Sequence, residues 1–219
     1  MTWAPLLLSL RIAGMATMVS VVIGVALAVL LTWRKLPARH LLDAIVSAPM
    51  VLPPTVLGYY LLVSLGVNSA IGQAWERVVG SSIVFTMTGA VVAATVGSLP
   101  LVVRAARTGL EQVDPTLVLA AHTLGAGRVR TFFTVVLPLA APGIISGAML
   151  GFARALGDFG ITIMVAGSRI GDTQPASIFI YDAIQANRER EANRMAVVMT
   201  VVGVAVLYVV NRLSRKRHD

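Results

Sequence analysis

No cysteine occurs among the 219 residues, which excludes disulfides and thiolate metal sites. Charge is scarce as well. Only 13% of the residues are Asp, Glu, Lys or Arg, against about 25% for a soluble domain. A chain that is 57% hydrophobic has too little polar surface to coat a core in water, so its surplus apolar residues require lipid. Histidine is limited to His40, His122 and His218, too widely spaced for a metal site and better read as interfacial or solvated. No G-x-x-x-x-G-K-[ST] phosphate loop occurs anywhere, so this chain does not power anything with a nucleotide site of that kind. No metal and no cofactor are expected on it.

Acids are the scarcer sign of charge, 10 against 18 basic residues, for a net charge of +8. A nucleic-acid footprint is a basic patch on a folded domain. Here the basic residues sit in short stretches beside apolar runs: Arg34, Lys35 and Arg39; Arg104 and Arg107; Arg128 and Arg130; Arg212, Arg215, Lys216 and Arg217. That is how cytoplasmic loops of membrane proteins are marked, so no nucleic-acid partner is expected.

Crossing the hydrocarbon takes about 20 apolar residues, and five runs qualify: about 12–33, 44–66, 82–103, 140–165 and 195–211. The first outruns a signal-peptide core and ends on Trp33-Arg34-Lys35, an interface anchor, with no small-residue cleavage site after it. Arg11 precedes it and is expected to snorkel. The second holds Pro49 and Pro53-Pro54, which predict a kink. The fifth is short, with Arg194 and Arg212 free to reach outward from its ends. The reading is one all-α polytopic membrane domain over 1–219. The basic stretches put its N-terminus outside and its C-terminus in the cytoplasm. Arg188, Arg190 and Arg194, offset by Glu189 and Glu191, form a mild counter-signal on the outer side.

Between the third and fourth runs lies a cytoplasmic segment, about 106–138. Asp114 suits an N-cap, Pro115 the first helical position, and Gly125 a helix stop. A second short helix is expected from about Gly127, ending before Leu137-Pro138. The small residues Ala120, Ala121 and Gly125 let another protein approach closely. Propensity alone admits an ordinary helical loop equally well.

The register Ala120-Ala121, Gly125, Val135, Leu137-Pro138 resembles the coupling loop of ABC importer permeases: Glu-Ala-Ala, three residues, Gly, nine residues, Ile, one residue, Leu-Pro. Leu119 stands where that pattern has Glu. The runs 50–60, 98–104, 113–115 and 151–160 are similar to molybdate permeases, with Asp158 at a position usually held by Glu. The resemblance implies a type I ABC importer transmembrane domain in the cell inner membrane. It also implies a homodimer enclosing the pathway, cytoplasmic ATPase subunits and an extracytoplasmic oxyanion-binding protein. The ATPase would seat on Leu119, Ala120, Ala121, Gly125, Leu137 and Pro138. ATP and Mg²⁺ would be bound by that partner, and this chain would be no enzyme. The implied cargo is molybdate ahead of tungstate, sulfate or thiosulfate. A stand-alone anion channel, a secondary carrier or a non-transporting scaffold are the readings from other classes.

Arg154 and Asp158 are four residues apart in the fourth run and are expected to pair on one helix face. Gly143, Gly147 and Gly151 repeat at the same interval before them, a seam for close helix packing. Charges at membrane depth mark either a functional site or a buried lock. The pair is therefore a candidate for the pathway or its gate, with a structural clamp the preferred reading and a gate closed by pairing the mixed one. Thr55, Ser98 and Thr162 are the hydroxyl candidates for an oxyanion's path.

Overall fold

The computed structural model describes residues 3–33 and 37–215, with side chains through residue 208. Arg34, Lys35, Lys216, Arg217 and His218, and the side chains of Arg212 and Arg215, lie outside that description. Every regular element among the described residues is helical. By length and apolarity four helices can cross a membrane, and a bent pair makes a fifth span if it is counted as one.

The centre is α5 (Met87–Glu111), the most buried of the candidate spans. Small residues make that burial possible. Helix α1 (Ala4–Thr32) runs parallel to α5, with Ile12, Ala13 and Ala16 against Ala90, Val91 and Ala94. Ser20 bonds Ser98 at 3.0 Å, and Ala28 packs by Ala106 and Leu110. Helix α8 (Leu137–Leu156) runs antiparallel to α5 along the glycine seam. A Cβ on Gly143 would lie 2.7 Å from the Gly109 Cα, and one on Gly151 would lie 2.8 Å from Val102 Cγ2. Gly147 meets Val102 and Ala105 in the same row. With no hydrophobic drive between helices in lipid, such backbone proximity supplies the packing.

Four expectations need correcting. The first helix starts eight residues before the expected run, with Pro5 in its first turn, and takes Arg11 inside as an exposed side chain. The run 44–66 is two helices, α2 (Arg39–Val51) and α3 (Pro54–Leu65), bent by 116°. The residue before a proline is pushed out of the helical region. Consecutive prolines impose this twice, and Leu52 and Pro53 both have extended ψ values of 139° and 137°.

The run 140–165 also breaks. Helix α8 ends at Leu156, Gly157 caps it, and α9 (Gly160–Ala166) starts after Phe159. Finally, the helix expected to stop before Leu137-Pro138 does not stop. Helix α7 (Arg128–Thr131) passes through a π turn over Phe132–Val136 directly into α8. Pro138 has no N–H, and its ring would crowd the carbonyl four residues back in an unbroken α-helix; the wider turn relieves both.

The elements at the other end of the bundle are α4 (Ala70–Val79), α10 (Ala176–Gln185) and the start of α11 (Glu189–Arg215). Helix α11 contains the expected fifth span and begins six residues before it, bringing Arg190 and Arg194 into the helix.

Gly143→Val is expected to lower stability by about 1–3 kcal/mol through overpacking against α5. Gly14→Ala, inside α1 with nothing within 4 Å of its added Cβ, is expected to raise stability by up to about 1 kcal/mol. Thermal unfolding of the purified chain in detergent separates the two.

Candidate functional site

Two features stand out from the packed bundle: a knob at one end and a charged elbow within it. The knob is built from its caps. Asp114, in an extended conformation, accepts the Thr116 N–H at 2.8 Å, and Pro115 occupies the first turn of α6 (Pro115–Thr123). The far end closes in a Schellman pattern: Ala126 N–H donates to the Ala121 carbonyl and Gly125 N–H to the His122 carbonyl, both at 3.0 Å. That pattern needs a left-handed residue, and Gly125 has φ +81°.

The root of the knob is packed. Val113, Phe132 and Val136 sit on the cluster of Ala28, Ala106, Leu110 and Ala140. Its crest is bare: Leu119 is 63% exposed, Leu124 87% and Val129 73%. Ala120 and Gly125 are exposed beside them, and Ala121 is half-buried. Leu137 and Pro138 lie away from this crest, at the start of α8 beyond the π turn on which α6 packs. Exposed leucines on a capped projection are the kind of apolar patch that marks a protein or membrane contact.

A polar clasp beside the knob was not expected from the sequence. Arg107 of α5 pairs with Glu111 at 2.8 Å and with Asp43 of α2 at 3.2 Å. Arg39 reaches Glu111 at 3.8 Å, and Arg104 donates to Ser47 at 3.2 Å. The i,i+4 spacing of Arg107 and Glu111 was a usable signal; the reach to α2 was not. These residues extend α5 past the expected span, so Arg104 and Arg107 belong to its last turns rather than to a loop.

At the α8–α9 elbow, Arg154 Nη1 donates to Asp158 Oδ1 at 2.8 Å, as the spacing predicts. Asp158 has left the helix, however. It stands in the break, where its other oxygen accepts the Thr162 N–H at 3.0 Å and the Thr162 hydroxyl at 2.7 Å, capping α9. The Ser177 hydroxyl donates to the Asp158 carbonyl at 2.8 Å, tying α10 to the same point. The carboxylate is buried and fully partnered. The Arg154 side chain is 32% exposed, and among the described residues only its Nη1 has a hydrogen-bond partner. It lies over Gly97 of α5, where an added Cβ would be 3.6 Å from Nη2.

All five pathway candidates gather at this elbow. Thr55 is exposed in the first turn of α3, its nitrogen beside Gly160. Ser98 follows Gly97, and its hydroxyl is buried between Ser20 and the Thr95 carbonyl. Thr162 spends its hydroxyl on Asp158. Arg154 and Thr55 are therefore the ones that present polar atoms outward. A further cluster that the sequence reading missed joins Asp182 to Ser168 at 2.6 Å and to Gln174 at 2.7 Å in the α9–α10 connection.

The family model described as binding-protein-dependent transport system inner membrane component matches residues 20–219. The chain is 42% identical over 219 residues to the molybdenum transport system permease protein ModB of Escherichia coli K12, covering 98% of this chain and 96% of that one. It is 34% identical over 204 residues to the sulfate transport system permease protein CysT of the same strain, covering 93% of this chain and 73% of that one. Its fold is similar to a chain of the inward-facing MetNI methionine ABC transporter, with TM-score 0.73, 20% identity, and coverage of 97% and 94%.

The Asp114 cap makes the knob sensitive to acid. The Thr116 N–H, and secondarily its hydroxyl, hold the Asp114 carboxyl below its ordinary range. The contribution is therefore present at neutral pH and is lost as pH falls through the lowered value. The protection of the Thr116 and Leu117 amides, taken relative to their intrinsic exchange at each pH, is expected to fall on acidification, and Asp114→Asn is expected to remove that loss while keeping a cap.

Proposed function

This chain belongs to the binding-protein-dependent transport system inner membrane components, and we propose that it is the permease subunit of an ATP-driven oxyanion importer carrying molybdate. The observation that carries the reading is the bare, capped knob of α6 and α7 at one end of a multi-pass bundle. Exposed Leu119 and Leu124 there present an apolar docking surface for a soluble motor. Leu119 stands where an acid is usual, so the seat is apolar at that position. Full-length likeness to a molybdenum permease supports molybdate as cargo. Likeness to a sulfate permease makes sulfate, thiosulfate or tungstate the second reading.

In this proposal two copies enclose the pathway around a two-fold axis. Each docks a cytoplasmic ATPase on its knob, and an extracytoplasmic binding protein delivers the anion to the other end. ATP and Mg²⁺ sit in the ATPase; this chain binds no cofactor or metal and does no covalent chemistry. Its N-terminus is outside and its C-terminus cytoplasmic. ATP binding draws the two knobs together and opens the cavity outward, and hydrolysis reverses it. The differential docking of the ATPase in its two states is what shifts the permease between its own.

The elbow serves both roles weighed for it. Asp158, saturated by Arg154 and Thr162, fixes the angle between α8 and α9. The outward part of Arg154, with Thr55 nearby, gives the anion a positive lining. A positive charge that is partly solvated and only singly hydrogen-bonded keeps donors free for an oxyanion.

Labelled molybdate uptake into cells expressing this chain with its ATPase and binding protein tests the assignment. Uptake that persists in excess sulfate and vanishes with an inactive ATPase is expected. Competition by sulfate would move the cargo, and flux without the ATPase would point to a channel or carrier. Leu124→Asp and Gly125→Trp are expected to abolish uptake and ATPase co-purification while the chain still inserts; normal uptake in both would remove the knob from the mechanism.

Asp158→Ala is expected to destabilise by about 3 kcal/mol, the lower end for a broken buried pair because Arg154 is partly solvated. The double variant Arg154→Gln, Asp158→Asn is expected to recover much of that stability in thermal unfolding but no uptake. Recovered uptake would reduce the pair to a clamp.

A further inference from the structure

We propose that α4 is an interfacial helix, lying along the membrane surface at the end of the bundle opposite the knob, with its apolar stripe set into the lipid. The segment 68–81 reads from sequence as an external loop. Instead it contains a helix of ten residues, about 15 Å long. That is half of the roughly 30 Å needed to cross the hydrocarbon.

Both ends of α4 are fixed. Ser69 accepts the Gly72 N–H at 2.9 Å and donates to the Gly66 carbonyl at 2.8 Å. Gly80 closes the helix at φ +76°. The helix is also pressed onto the end of α3, because a Cβ on Gly72 would overlap the Gly66 carbonyl oxygen. Its orientation is therefore set by the bundle.

That orientation turns the apolar side outward. Ile71, Ala74, Trp75 and Val78 share one arc, and Gln73, Glu76 and Arg77 share the other. Ile71 is 58% exposed and Val78 85%. Together with Val79 they line an open apolar surface.

Lipid is the occupant that this surface fits. The stripe carries no charge, and apolar side chains are also exposed on α3 at Tyr60 and Val63 and in the link to α4 at Val67. Helix α4 packs on the end of α3 and precedes α5 in the chain, so it joins the ends of two apolar segments. Trp75 on the stripe has the amphipathic ring enriched at membrane–water interfaces. Glu76 and Arg77 cancel, so attachment rests on apolar burial rather than on headgroup charge. A rigid helix held in the interface would fix the height of α3, and so of the bent α2–α3 pair, relative to the bilayer.

Because the natural chain has no cysteine, single labels can be placed without background. Nitroxides on Ile71→Cys, Val78→Cys, Gln73→Cys and Arg77→Cys, in the full chain with its ATPase, are compared in phosphatidylethanolamine–phosphatidylglycerol vesicles. Ile71 and Val78 are expected to show an oxygen-to-nickel-chelate accessibility ratio several-fold above that of Gln73 and Arg77. Equal nickel access at all four would place α4 in water and overturn the proposal. Spin–spin broadening with both reagents excluded at Ile71 and Val78 would assign the stripe to a second copy. Exclusion appearing only when the binding protein is added would assign it to that protein. As a check free of labels, Trp75 emission in a chain carrying Trp3→Phe and Trp33→Phe is expected to be quenched by lipids brominated near the headgroup; quenching only by aqueous iodide would overturn the reading.

Discussion

The close approach of α5 to α8 is the constraint on which the rest of the molecule depends. Gly143 and Gly109 bring two backbones nearly into contact, and Val102 fills the space over Gly151. Side chains of ordinary size on either helix would hold them apart, and with them everything that α8 carries. The knob is rooted at the Gly109–Gly143 end through Phe132 and Val136. The elbow hangs from the other end, where Arg154 crosses α5 at Gly97. One glycine-lined seam therefore sets the separation between the knob and the charged site.

Charge is used sparingly and in two different ways. Where α2 meets the end of α5, Arg39, Asp43, Arg107 and Glu111 form a partly exposed network. Pairs of this kind contribute little each and act together by holding α2 in register. At the elbow a single buried carboxylate receives three hydrogen bonds, one of them from an arginine. Burying that charge is tolerable only because both of its oxygens meet donors. The first network is expendable in its parts, and the second is not.

Much of this was legible in the sequence. The apolar runs within α1, α5 and α11, the Asp114 cap, the Gly125 stop, the Arg154–Asp158 pair and the glycine seam follow from local rules and appear in the fold, with the run ends shifted by several residues; the runs 44–66 and 140–165 do not survive as single helices. What escaped were events at proline and events between distant segments. Pro53-Pro54 predicts a kink, but not that two successive extended residues would turn one span into two helices. Pro138 looks like a helix stop, because nothing local shows that a π turn can absorb it. The break before Asp158 depends on the Thr162 cap and on Ser177, 19 residues away. Ser98 looked available for a ligand because its partner, Ser20, is 78 residues away in sequence. Hydropathy likewise places 68–81 between spans, while its helix shows only in the alternation of Ile71, Trp75 and Val78.

The π turn over Phe132–Val136 gives α7 and α8 the character of one shaft, 29 residues from Arg128 to Leu156, about 43 Å long. A shaft jointed near one end behaves unlike a straight rod. Strain introduced at the knob would be taken up first where the winding is loosest. Beyond that joint the glycine-packed stretch can only slide or tilt as a unit. The position of Arg154 relative to the knob is thus set by the local winding at Pro138, so a single imino acid at one end of the shaft governs the geometry at the other.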